Sequence, residues 1–385
     1  MTEVRGLGCY EIALKYLMLP WYRLPSNIGS WQRHLIIGLR FILMLILIFL
    51  GIVDSPVISL APYREAYKGD FSILVIVVEQ MDWMLIKIGV VTLFVICIAI
   101  RKEHMNFLNR LANFQEYCSI NENARGILIL KIWTAFDFFC VIGYHALIHI
   151  LNMQKISYTD YLIENFHHMI LMIYLSIKAL LLLYISHIII LLRYLSTYLL
   201  KNMEKVNSST WKKFVEFLNL IDTLNSSLGI LMFLLFFIHQ FSACFGMYFV
   251  FWIIFNTNNI DNKALNCLIA LIWAFSNIII VGKFAMICES LEHRVEDLWH
   301  QINSQIDTIL IPSRRRKLSN IVRLLLLKLH KNTGVCGYGG YRTNNSCIYR
   351  ILGSIVSYLA IFIQFKQLED ESICEKLLAS FQGEL

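Results

Sequence analysis

Apolar residues in this chain gather in long blocks separated by shorter polar and basic stretches. A helix crossing the ~30 Å hydrocarbon core of a bilayer needs about 20 mainly apolar residues. Seven blocks meet that length: 35–53, 73–100, 131–151, 168–192, 228–256, 265–288 and 347–366. The second carries Glu79, Asp82 and Lys87 and is the least clean. The seventh has a short apolar centre, so its ends extend past the lipid core. The pattern predicts an all-α polytopic membrane protein with seven transmembrane helices. Helical periodicity also runs through segments between the blocks. Trp211, Val215, Leu218 and Ile221 share one face after the fourth block, and Leu291, Val295, Leu298 and Ile302 share one after the sixth. "KLSNIVRLLLLKLH" follows the break at Pro312. Such faces need partners. They predict that spans four to six extend beyond the bilayer and pack around the segment before span seven; helices lying on the membrane surface are the alternative.

Charge orients the bundle. The N-terminal segment and the second, fourth and sixth loops hold 22 Lys and Arg, against six in the alternate set. The positive-inside rule therefore puts the N-terminus in the cytoplasm and the C-terminus outside. The expected organisation is a cytoplasmic N-terminal segment at 1–34, a six-span ligand-sensing bundle at 35–288, a helical cytoplasmic anchor at 289–346, the seventh span at 347–368 and an acidic extracellular tail at 369–385. Asp54, Glu65 and Asp70 add acid to the same outer side. Acid there either solubilises or concentrates cations by its field. Glu3, Glu11, Pro20 and Pro25 interrupt the first 30 residues, so no cleavable signal peptide is expected. The sequons at Asn207, Asn225 and Asn344 fall on the inner side or within the membrane and are expected to stay unglycosylated.

Composition agrees: 57% of residues are apolar and 16% charged, against about 45–50% and about 25% in soluble chains. The net charge of +7 resides in the loops, where topology explains it, so no nucleic-acid partner is expected. Among the ten cysteines, Cys97, Cys140, Cys244, Cys267 and Cys288 sit in or at the ends of apolar runs as packing residues, and Cys336 and Cys347 are candidates for a disulfide. No metal or cofactor site is expected. No paired carboxylates or nucleophile with a base converge, so no enzyme activity is expected. The inside N-terminus runs against a G-protein-linked seven-span chemoreceptor, and neither Asp-Arg-Tyr after span three nor Asn-Pro-x-x-Tyr in span seven is present. A secondary transporter would carry an internal repeat and broken mid-membrane helices, and neither is visible.

The last apolar block ends "SYLAIFIQF", residues 357–365. On a helical wheel Gly353, Ser357, Ala360 or Ile361, and Gln364 form one small, polar stripe with Phe365 at its edge. Such a stripe either permits close helix packing or borders a water path when several copies surround an axis. Glutamine in lipid is costly unless satisfied. The nonapeptide resembles the C-terminal signature of insect gustatory receptors: Thr-Tyr, five mostly apolar residues, then Gln-Phe. Tyr358, Gln364 and Phe365 match, and Ser357 stands where threonine is usual. The upstream "GVCGYGGYRTNNSCIYRILGSIV" is similar to that family's glycine-aromatic entry to the last span. The resemblance implies a ligand-gated, non-selective cation channel of the plasma membrane, in a gustatory neuron's dendrite. It implies a homo- or hetero-tetramer with related receptors, the seventh helices lining a central pore. The gate would transfer to Gln364 and Phe365, with Ile361 one turn further in and Ser357 on the same stripe. The sugar-sensing branch usually has glutamate after the tyrosine; Leu359 here leaves bitter or other aversive small molecules as the expected tastants.

The resemblance also implies a small-molecule pocket within one subunit, among the outer halves of spans two to six. The aromatic and polar candidates there are Trp83, His145, His149, Tyr174, Trp252, Asn256, Trp273 and Asn277, a mixture suited to a small organic ligand. Trp252 reads equally as a lipid-interface anchor. His145 and His149, one turn apart, are expected to bond a neighbouring helix rather than hold a metal. Asp137 and Lys178 are intramembrane charges, readable as an ion pair between spans three and four. His239 and Gln240 sit centrally in span five and either join the pocket floor or couple to span seven.

Overall fold

All five prolines lie at positions 20, 25, 56, 62 and 312, so nothing from 63 to 311 carries the residue that most readily breaks a helix. Long helices result. The structure, a computed structural model, describes residues 4–10, 73–120, 125–153, 161–201, 208–255, 263–308 and 343–383, with Val335 and scattered positions between 31 and 49. In chain order the helices are α1 (Ile73–Ala99), α2 (Arg101–Tyr117), α3 (Arg125–Met153), α4 (Tyr161–Lys201), α5 (Ser208–Phe255), α6 (Lys263–Thr308) and α7 (Asn345–Gly383). Among the described residues there is no strand. The first expected span lies largely outside the described residues. So do the loop after α5, the segment 309–334 with its "KLSNIVRLLLLKLH", and Cys336.

Among the described residues five helices are long and apolar enough to cross a membrane, or six when α1 and α2 count as one broken span. At Ile100 the chain turns through 65°, where the apolar run gives way to exposed Arg101, Lys102 and Glu103. The apolar surface is that of a lipid-facing bundle. On α3, Leu128, Ile132, Phe136, Phe139 and Ile142 are exposed, and Phe139 is 76% so. In water such a stripe would be an aggregation site; in hydrocarbon it costs nothing.

The helices are unequally held. In their apolar windows α4 is 78% and α5 67% buried within the chain, whereas α7 is 17% buried. α4 and α5 are therefore the centre, and α7 is attached on one side. α5 packs most extensively on α6, and α7 leans on α5 and α6. α4, α5 and α6 run 41, 48 and 46 residues, beyond the roughly 20 that a bilayer requires. Their excess lies at the end carrying Arg193, Lys201, Lys212 and Arg294, the basic end. There the expected amphipathic faces find their partners: Leu218, Ile221, Leu291, Val295, Leu298 and Ile302 are buried. α7 starts at the same end. The Asn345 backbone N–H donates to Glu289 Oε2 of α6 at 3.1 Å, a carboxylate where the helix dipole favours one. α7 then continues to Gly383, past the expected end of the span at 366.

Residues 4–10 form a strap across α2, α3 and α4. The Arg5 N–H donates to Gln115 Oε1 at 2.8 Å, and Gln115 returns a bond to the Arg5 carbonyl at 2.9 Å. His187 bonds the Gly6 carbonyl at 2.7 Å, and the Cys9 N–H donates to Thr134 Oγ1 at 3.0 Å. Gly6 and Gly8 have φ of 99° and 50°, the left-handed region that glycine enters freely.

The α5–α6 contact depends on Gly246. A Cβ there would lie 2.9 Å from Trp273 Cδ1 and 3.2 Å from the Ala274 Cα. Gly246→Val is expected to destabilise the folded protein by about 1–3 kcal/mol through overpacking, read as a lower melting temperature in detergent. Gly143→Val, at a position with nothing within 4 Å, should leave it nearly unchanged.

Candidate functional site

No water in the hydrocarbon core can satisfy a polar side chain, so polar residues on adjoining spans must find one another. Here they do so across five helices. Asn277 on α6 accepts through Oδ1 from Lys178 Nζ of α4 at 3.1 Å and from His239 Nδ1 of α5 at 2.8 Å. Its Nδ2 donates to the Trp273 carbonyl at 2.9 Å, which fixes the amide's orientation. Asp82 on α1 accepts from Ser242 Oγ of α5 at 3.0 Å. The Trp273 indole and the Lys178 charge both lie near the same carboxyl. The Lys178 ammonium stands 6.0 Å from the centroid of the Trp273 ring. Asp82, Lys178, His239, Ser242 and Asn277 are all buried.

α3 joins from the side. His145 Nδ1 and Ser176 Oγ of α4 are 3.0 Å apart, and the Tyr144 hydroxyl donates to Ser276 Oγ of α6 at 2.7 Å. The network thus ties together α1, α3, α4, α5 and α6. One atom in it has no partner: His239 Nε2 is buried without a hydrogen bond among the described residues.

Of the pocket residues expected from the sequence, the structure brings together His145, Trp273 and Asn277. Asn277 is the hub. Tyr174 is buried in the main core, one turn before Lys178 on α4. Asn256 and the side chains of Trp83 and His149 lie outside the described residues. Trp252 is not a lipid-interface anchor: it is 5% exposed and packs with Phe245, Tyr248 and Ile253. The expected Asp137–Lys178 pair does not form. Lys178 turns to Asn277 and Asp82, while Asp137 lies 3.6 Å from Lys283 of α6 and accepts from the Tyr10 hydroxyl at 3.2 Å. Sequence reasoning singled out Asp82 and His239 without linking them. It missed Tyr144, Ser176, Ser242 and Ser276, because a serine in an apolar helix looks the same whether it bonds its own backbone or a neighbouring helix.

α7 has two faces. Cys347, Ile351 and Ile355 are buried, and Tyr358, Leu359 and Phe362 continue that side. Tyr358 packs against Phe241 at a centroid distance of 5.5 Å, and Phe362 against Tyr248 at 4.7 Å. The other face carries the small polar stripe. Gly353, Ser357, Ala360, Ile361, Gln364 and Phe365 are exposed, and nothing lies within 4 Å of a Cβ at Gly353. Ser357 Oγ donates to the Gly353 carbonyl at 2.9 Å, which satisfies the hydroxyl without a partner helix. Among the described residues, then, the stripe packs against no other helix.

Residues 16–369 match the 7tm chemosensory receptor family. Gustatory receptor 68a of Drosophila melanogaster is 27% identical over 114 residues, which is 29% of this chain and 27% of that receptor's length. The insect olfactory receptor OR5 from Machilis hrabei superposes with a TM-score of 0.63 at 13% identity, both alone and in complex with eugenol. The likeness covers 93% of this chain and 97–98% of that receptor. At such identity it concerns the fold.

Asp82 and Lys178 are buried opposite charges whose fields act on each other without a direct ion pair, so removing one leaves the other less compensated, whereas removing both does not. Asp82→Leu and Lys178→Leu are each expected to lower the melting temperature sharply, and the double variant less than either. Additive losses would show that the two charges do not support each other.

Proposed function

The chain belongs to the 7tm chemosensory receptor family, and we propose that it is a gustatory receptor acting as a ligand-gated, non-selective cation channel. The observation that carries this reading is the two-faced α7. A helix at the edge of a bundle, packed on one side by Ile351, Ile355 and Phe362, leaves Gly353, Ser357, Ile361 and Gln364 without a partner among the described residues. A fourfold arrangement of chains would turn those stripes toward one axis. There Gln364 gains water or its symmetry mates, and Phe365 closes the path by dewetting. The charge asymmetry supports placing the basic end in the cytoplasm, where the extended ends of α4, α5 and α6 would form the anchor holding the subunits together. The cell in view is a gustatory neuron, with the receptor in its plasma membrane. Leu359 in the motif favours bitter or other aversive small molecules over sugars.

Gating follows from α5, which faces both ways. His239 and Ser242 belong to the polar network, while Phe241, Phe245 and Tyr248 touch Tyr358 and Phe362 of α7. A ligand that engages the network in one of two bundle arrangements favours that arrangement by its differential affinity. Any shift or rotation of α5 reaches α7 through three aromatic contacts.

Whole-cell recording tests this. Cells expressing the chain are exposed to a panel of bitter compounds and sugars with G-protein signalling blocked. A ligand-evoked cation current is expected, with leak or rectification altered in Gln364→Ala and Phe365→Ala. A response that disappears when G proteins are blocked would instead favour a G-protein-linked receptor.

A further inference from the structure

Among the described residues, one fully buried side-chain atom of the network, His239 Nε2, has no hydrogen bond. Asn277 Nδ2 is committed to the Trp273 carbonyl, so the atom facing His239 is the amide oxygen, an acceptor. The His239 nitrogen that meets it at 2.8 Å, Nδ1, must therefore carry the proton. Lys178 already donates to that oxygen at 3.1 Å. A cationic imidazole would set two positive groups around one acceptor, with Asp82 as the only carboxylate that faces Lys178 in the bonded network. The neutral ring satisfies the geometry. It leaves Nε2 as a bare lone pair, buried and unbonded among the described residues, and an unmet buried acceptor is destabilising.

Resting on the receptor reading above, we infer that His239 Nε2 is the recognition atom for the activating ligand, and that the ligand is a neutral small molecule presenting an O–H or N–H donor. The surroundings suit this chemistry. Nearby His145 is bonded to Ser176, and the Tyr144 hydroxyl is bonded to Ser276. Both groups are thus engaged through those atoms, and Trp273 lies one turn before Asn277 on α6. A ligand's donor entering here completes the network. A molecule whose heteroatom is capped by methyl leaves the lone pair unmet and adds bulk where the proton should lie. The bond would sit on α5, three residues before Ser242 and two before Phe241, which meets Tyr358 of α7.

Matched pairs differing in one donor test the inference: 4-ethylphenol and 4-ethylanisole, indole and 1-methylindole, benzyl alcohol and benzyl methyl ether. Each is titrated against the melting temperature of the purified full chain, and separately against current in expressing cells. In at least one pair the donor member is expected to stabilise the protein at a concentration about fivefold or more below its partner's. That gap should close in His239→Phe and persist in His239→Gln, whose amide oxygen keeps an acceptor. Equal behaviour within every pair, stabilisation by none of the six, or a gap that survives His239→Phe would overturn the inference and leave Nε2 as the site of a structural water. A donor-dependent stabilisation without current would instead retain the recognition atom and remove the channel reading.

Discussion

A single side-chain oxygen, that of Asn277, accepts from Lys178 and His239 at once and so binds α4, α5 and α6 to a common point. In water such a contact would be worth little, because either donor could turn to solvent. In hydrocarbon there is no alternative partner, and each unmet group is costly. The arrangement therefore fixes which faces of the three helices meet, and with them the apolar packing above and below. Asp82 extends the constraint to α1 through Ser242, and Tyr144 and His145 extend it to α3. Hydrophobic matching alone would not select this geometry, since lipid tails are as apolar as the leucines of the bundle.

Against that tied core, α7 is the exception. It is fastened at its start by Glu289 and Thr343, the latter bonded to the Val335 carbonyl. Along its length it is held by aromatic contacts with α5 rather than by interhelical hydrogen bonds among those described. Dispersion contacts slide more easily than a shared amide oxygen does. A bundle with one bonded core and one helix leaning on it is mechanically suited to transmit a small motion of α5. The polar stripe of α7, satisfied only by bonds such as that from Ser357 to its own backbone, faces away from the chain.

Much of this was legible in the sequence because membrane insertion writes itself as apolar length. The described spans appear where the blocks lie, and the extended basic ends appear where Leu218, Ile221, Leu291 and Val295 repeat at helical spacing. Trp273 and Asn277, one turn apart, were readable as neighbours on one face of α6, and the structure joins them by a hydrogen bond. Partnership was not readable. Asp137 and Lys178 lie on adjoining helices yet point to different neighbours, because rotation of a helix about its axis leaves no trace in composition. Trp252 looked like an interface anchor by residue type, and only the packing of Phe245 and Tyr248 around it shows otherwise. The four hydroxyl residues of the network carry no signal of their own.

The most direct measurement is state-dependent modification of single cysteines along α7 by a charged, membrane-impermeant thiol reagent during ligand-evoked current. If the exposed stripe borders the ion path, cysteines at 353, 357, 361 and 364 react and change the current, while those at 355, 359 and 362 do not. Reaction on both faces alike, or on neither while current flows, would contradict a pore built on this helix.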